Sequence, residues 1–122
     1  MSELSRVAAQ VARLAGAHVA QAYRAGGAEI SKKGTIDLVT QVDRASETLI
    51  VDELSRRFPS HTIVAEESGL HERAGDVRWI VDPLDGTVNF AHGVPHFCVL
   101  VAAQTRDAAG AWQTVAGATY EP

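Results

Sequence analysis

Six carboxylates fall into three short stretches: Asp37 and Asp43 in IDLVTQVD, Glu66 and Glu67 in VAEES, and Asp82 and Asp85 in WIVDPLDGTVNF. In the last two, acids stand where an apolar run ends, so neighbouring strands would carry them to one edge of a sheet. Carboxylates gathered in one cleft repel each other and shift toward the neutral form unless a cation joins them. Every candidate donor is an oxygen, with no converging Cys or His, a set that selects Mg²⁺, Mn²⁺ or Ca²⁺ over zinc. Mg²⁺ is the reading adopted for a cytoplasmic protein. Pro83 keeps Asp82 extended and bends the chain so that Asp82, the Leu84 carbonyl and Asp85 can face one point. Behind them Gly86 and Thr87 open a short helix, VNFAHG, whose free amides suit a phosphate. Asp-Pro and Asp-Gly are also ordinary turn pairs, and DPLD by itself would signify no more than a turn. Its company with DLVTQVD, the paired glutamates and Gly-Thr argues for metal-assisted phosphate chemistry.

The elements that must position these residues follow from hydrophobic spacing. Leu4, Val7, Ala8, Val11, Leu14, Ala15, Val19 and Ala22 recur at helical steps from about Ser2 to Tyr23. Ala25-Gly26-Gly27 ends that helix, and an irregular or strand-like stretch follows through Ile30 to Lys33. The segment TQVDRASETLIVDELSRRF predicts a second helix with Thr40 as N-cap, Asp43 as in a capping box, and Pro59 as the stop. Strands are expected at Thr62–Ala65, Arg78–Val81, Phe97–Thr105 and Gln113–Tyr120, the last two joined by a hairpin through Arg106 to Gly110. Two helices followed by four strands predict an α+β fold, with the helices packed on one face of a largely antiparallel sheet.

Composition sets outer bounds. A net charge of -4 with no basic block argues against a nucleic-acid partner. No apolar run is long enough to span a bilayer or resembles a signal peptide, so the expectation is a cytoplasmic protein without a membrane partner. Cys98 is the lone cysteine and, set in FCVLVAA, reads as a small buried hydrophobe. His92 and His96 stand four apart, but Gly93 and Pro95 between them prevent a helical metal pair. Trp79 and Phe90 read as core anchors, while His18, His61 and His71 have no partner at ligand spacing.

In order and spacing, KKGTIDLVTQVD, VAEES and WIVDPLDGTVNF resemble the inositol monophosphatase family of Mg²⁺-dependent, lithium-sensitive phosphatases. GATYEP is similar to the family's Gly-x-x-Tyr-x-Pro strand, so the likeness covers nearly the whole chain. Fructose-bisphosphatases and nucleotide-3'-phosphate phosphatases share the Asp-Pro-x-Asp-Gly core but usually differ just after it; Asn89-Phe90 is closest to inositol monophosphatases proper. The resemblance implies two or more Mg²⁺ ions, replaceable by Mn²⁺ and inhibited by Li⁺. It also implies a small phosphorylated substrate, most simply inositol monophosphate, hydrolysed by direct attack of metal-activated water, and a homodimer in the complete protein. Carried over by motif, Glu67, Asp82 and the Leu84 carbonyl bind the first metal, while Asp82, as a bridge, and Asp85 bind the second. Gly86 and Thr87 donate amides to phosphate, and the Thr87 hydroxyl pairs with Asp43 to deprotonate water. Glu66 is the less direct glutamate, Lys33 lies in a metal-linked loop, and Asp37 supports the site from behind. The family's second half, with a Trp-Asp-x-Ala motif, is not in the sequence. Residues 1–122 are therefore expected to form the N-terminal metal- and phosphate-binding portion of a layered α/β/α/β/α sugar-phosphatase fold. Sibling substrates, such as histidinol phosphate, a sugar bisphosphate or a 3'-phosphonucleotide, and a non-catalytic binding remnant are the alternatives.

Overall fold

The computed structural model describes residues 2–25, 32–92 and 97–121, with the backbone alone for 32–38. Helix α1 spans Glu3–Arg24 and starts from Ser2, whose side chain accepts a hydrogen bond from the Ser5 amide. Its buried stripe is Val7, Ala8, Val11, Ala12, Ala15, Gly16, Val19 and Ala20. Leu14, expected on that stripe, is 47% exposed instead. The small residues let the helix lie close to the sheet, and Leu14 is too bulky for that gap.

Close approach is most demanding at Gly16, where an added Cβ would fall 1.9 Å from the Tyr120 ring. Gly16→Val is therefore expected to lower unfolding free energy by about 1–3 kcal/mol through overpacking. Urea denaturation checks this, and an unchanged midpoint would contradict the contact.

Helix α2 runs Lys32–Arg57, beginning well before Thr40. The expected cap at Thr40 and capping box at Asp43 are thus wrong, because both residues are interior to the helix. The penalty of Gly34, about 1 kcal/mol in a helix interior, does not stop it. Lys32 and Lys33 are helical rather than strand-like, whereas Gly26, Gly27, Ile30 and Ser31 lie outside the described residues. At its end Glu53 pairs with Arg56 and Arg57, and Arg57 also donates to Gln10 Oε1 at 2.7 Å, tying α2 to α1.

The strands are β1 (Thr62–Ala65), β2 (Gly69–His71), β3 (Val77–Asp85), β4 (Cys98–Arg106) and β5 (Trp112–Tyr120), with helix α3 (Thr87–Ala91) between β3 and β4. They form one sheet in the order β2-β1-β3-β4-β5. Its pairs are antiparallel except β1 with β3, which run parallel. The hairpin before β5 closes as expected, with Asp107 Oδ1 accepting from the Ala109 and Ala111 amides. Strand β2 was not foreseen: it is three residues long and lacks a β-branched run.

Trp79, Val81, Val99, Val101, Ala103 and Ala116 turn to the helix side, where Ile50, Leu54 and Val11 meet them in the core. Trp79 and Phe90 are buried, as their anchor role requires, and Tyr23, Phe90 and Phe97 pack ring against ring. The Trp79 indole N–H donates to His61 Nδ1 at 3.0 Å, and the His61 ring stacks on Phe58 at 4.4 Å. Burial pushes the His61 pKa below its ordinary 6.5, against an opposing pull from Glu3. Since folding depresses this pKa, the stability held by neutral His61 is present above about 6.5 and lost as pH falls through the folded value. The stability gap between the native chain and His61→Phe should accordingly narrow on acidification. A gap independent of pH would refute the assignment.

Candidate active site

The parallel pairing of β1 with β3 builds the site. Its register sets Ala65 beside Val81, so the chain leaving β1 carries Glu66 to the position beside Asp82. Glu66 and Asp82 are close enough to act on each other's protonation, and Asp43 of α2 and Glu67 likewise. Crowded carboxylates favour the protonated form. Asp43 is pushed up to about 7, first by burial and then by Glu67, Asp82 and Glu47. Glu66 is pushed up to about 7, first by its bond to Asp82, then by burial and the charges of Asp82, Asp43 and Glu67. Glu66, expected as the less direct glutamate, thus lies next to Asp82, and Glu67 next to Asp43.

Beyond Asp82 the strand continues to Asp85 with a register irregularity against β4. The Leu84 amide turns back to Asp82 Oδ1 at 3.3 Å, and the Pro83 carbonyl is held by the buried Ser46 hydroxyl at 2.8 Å. Gly86 then adopts a left-handed conformation, φ 86°, as the residue preceding α3. Asp85 lies near the Cys98 thiol at 3.7 Å. That thiol is half-exposed rather than buried, and burial and Asp85 raise its pKa.

Sequence reasoning missed Glu47. Its two carboxylate oxygens accept from the Glu67 and Ser68 amides, each at 2.7 Å, clamping the loop that carries both glutamates. Asp43, Ser46 and Glu47 share the buried face of α2 with Val42, Ile50 and Leu54. Polar residues at core positions of a helical repeat were the available signal.

Thr87 borders a cleft of about 240 Å³ between α2 and α3, beside Val39, Thr40 and Val88. It makes no hydrogen bond to Asp43 among the described residues; Asp43 turns to Glu67, and its Oδ1 is buried without a partner. The helical backbone at Lys33 and Asp37 is described, but their side chains are outside the described residues, as is His96. His92 Nδ1 lies 2.8 Å from the Val88 carbonyl, a contact within its own helix.

No group of three His, Cys, Asp or Glu side chains among the described residues is already spread around a common metal position. The acids crowd one another instead, which raises the pKa of Asp43 and Glu66. Their chemistry nevertheless fits a hard divalent ion: the donors are all oxygens, Asp43 Oδ1 is orphaned, and the ion pairs among the described residues involve only Glu53.

The family model described as "Inositol monophosphatase family" matches residues 1–122. The chain belongs to that family. "Nus factor SuhB" of Haemophilus influenzae is 41% identical over 124 residues, covering 100% of this chain and 45% of the relative. Nus factor SuhB of Escherichia coli K12 is 40% identical over the same length and likewise covered to 45%. The crystal structure of extragenic suppressor protein suhB from Bartonella henselae superposes with a TM-score of 0.78 at 36% identity, over 99% of this chain and 44% of that one. Inositol monophosphatase from Anabaena gives 0.73 at 34% identity, over 97% and 39%. The α+β fold read from the sequence is thus that of the inositol monophosphatase family, and the chain spans about half the length of the curated relatives it matches.

Proposed function

We propose that residues 1–122 supply the metal- and phosphate-binding part of a Mg²⁺-dependent phosphomonoesterase acting on inositol monophosphate. The observation that carries this reading is the uncompensated carboxylate group of Asp43, Glu66, Glu67 and Asp82, close enough that their charges help raise the pKa of Asp43 and Glu66. Such an arrangement costs stability unless a cation completes it. Glu67, Asp82, Asp85 and the Leu84 carbonyl would hold Mg²⁺, joined by Glu66 because of its seat against Asp82. When bound, the metal supplies positive charge to the phosphoryl oxygens and acidifies water. Gly86 and Thr87 present amides to the phosphate, the Thr87 hydroxyl orients water, and Asp43 accepts its proton. Lys33 and Asp37 are assigned supporting roles by family resemblance alone. A homodimer and inhibition by Li⁺ are further parts of this reading.

The test is a chimera in which residues 1–122 replace the matching share of the Haemophilus protein. Mg²⁺-dependent release of phosphate from inositol monophosphate is expected, and its absence in a folded chimera would overturn the reading. In this chimera Thr87→Ala should lower kcat by roughly 100-fold, the scale of a lost proton-transfer partner, while Mg²⁺ affinity stays near native. Affinity falling in step with kcat would move Thr87 into the metal shell.

A second reading is favoured by one observation, the name Nus factor carried by the curated relatives. On that reading the fold serves as a binding component of a larger assembly. A chimera with Asp82→Asn that keeps the relative's cellular role without hydrolysing phosphate would support it.

A further inference from the structure

Strand alternation puts Arg78 and Asp82 on the same face of β3, and their four-residue separation is about 13 Å along the strand. Around Arg78, at the end remote from the carboxylates, the sheet gathers the opposite charge. Arg106 and Trp112 are cross-strand partners, as are Arg78 and Gln104. The guanidinium carbons of Arg78 and Arg106 stand 4.5 and 4.6 Å from the centroid of the Trp112 ring. Gln104 Oε1 accepts from Arg78 Nε at 2.7 Å while its Nε2 donates to Thr114 Oγ1 at 3.1 Å, so Arg78 is held in place. Arg73 closes one side. Its Nη1 and Nη2 reach the His61 carbonyl and Ser55 hydroxyl at 3.3 and 3.2 Å, and Thr62 Oγ1 clamps its backbone. Arg73, Arg78, Arg106 and Trp112 line a depression of about 180 Å³, together with Thr62 and the apolar Leu70.

The Arg78 and Arg106 guanidinium groups thus share the Trp112 ring, with Arg73 lining the same depression, and no carboxylate is paired to any of the three among the described residues. Glu72 also borders the depression but forms no ion pair there. A guanidinium close to an aromatic ring through cation–π attraction can leave its in-plane N–H groups for an oxyanion. Arg106 donates none of its N–H groups to the protein among the described residues, and Arg78 spends only Nε. Their mutual repulsion would be relieved by an anion, and a planar fork is the geometry that binds phosphate in a bidentate manner.

We propose that this depression binds the phosphate group of a small phosphorylated molecule, independently of Mg²⁺ and of the carboxylates at the opposite end of the face. Trp112 is the reporter, since Trp79 is buried in the core and bonded to His61. The experiment titrates inorganic phosphate, and separately glycerol phosphate, into the chain in EDTA at constant ionic strength while indole emission is followed. A saturable change is expected that vanishes in Trp112→Phe. Its affinity should drop about tenfold or more in Arg106→Gln, at an exposed position, and drop less in Arg106→Lys, which keeps charge without the fork. Tighter binding of glycerol phosphate would name an ester as the natural ligand, and the reverse order free phosphate. An unsaturable response, an equal response to acetate, or unchanged affinity in Arg106→Gln would overturn the site.

Discussion

Replacing Asp82 with asparagine is expected to abolish hydrolysis in the chimera and, in the same stroke, to make the metal-free chain more stable. Asp82 pushes the pKa of both Asp43 and Glu66 upward and is the residue assigned to both metals. Losing the Lewis-acid contribution of several kcal/mol corresponds to a rate loss of about a thousandfold or more. Without Mg²⁺ the balance reverses, because asparagine removes a repelling charge and can still hydrogen-bond Glu66. The sign with pH follows from linkage. Unfolded, Asp43 releases its proton near 3.8; folded, it keeps it to about 7. In that window the folded chain binds more protons, so its stability falls as pH rises, and Glu66 adds to the same slope from 4.5 upward. Asp82→Asn should flatten that slope. It should also remove the proton release that accompanies Mg²⁺ binding near neutrality, measurable by calorimetry in buffers of different ionisation enthalpy. Native-like Mg²⁺ affinity in this variant would remove Asp82 from the site.

Glu47→Ala is expected to be the most damaging change for the fold around the site. The substitution strips two charge-assisted hydrogen bonds from the Glu67 and Ser68 amides and leaves an exposed turn without its anchor on α2. A loss of about 3 kcal/mol is expected after allowing for relief of the Asp43 carboxyl, or a melting temperature lower by on the order of 10 °C. Glu47→Gln, which keeps one acceptor oxygen, should recover part of the loss. A melting temperature unchanged in Glu47→Ala would show that the loop is held by other contacts.

Much of the site was legible because its parts are local in sequence. VAEES and DPLD each announce a strand end with acids, and a strand end is where a side chain can leave a sheet for a cleft. The four longer strands were readable for the same reason, since alternation and Val-rich runs are local patterns. What escaped notice depends on distant partners. Glu47 stands at a core position of the α2 repeat, but what it does there shows only when the 66–68 loop is placed over it. The early start of α2 at Lys32 is marked by no apolar repeat in KKGTID. Strand β2 exists because β1 offers an unpaired edge, which no three-residue window of GLH could signal. The position of Glu66 next to Asp82 follows from a register between two strands that no single motif contains.

That register has a consequence for error checking during folding. Side chains alternate along a strand, so a slip of one residue between β1 and β3 would expose Trp79 and Val81 on one face and turn Asp82 into the apolar core. Misfolded pairings are thus penalised twice, by lost hydrophobic contact and by a buried charge. The acid that chemistry needs acts as a proofreading mark for the sheet, and it does so before any ligand arrives.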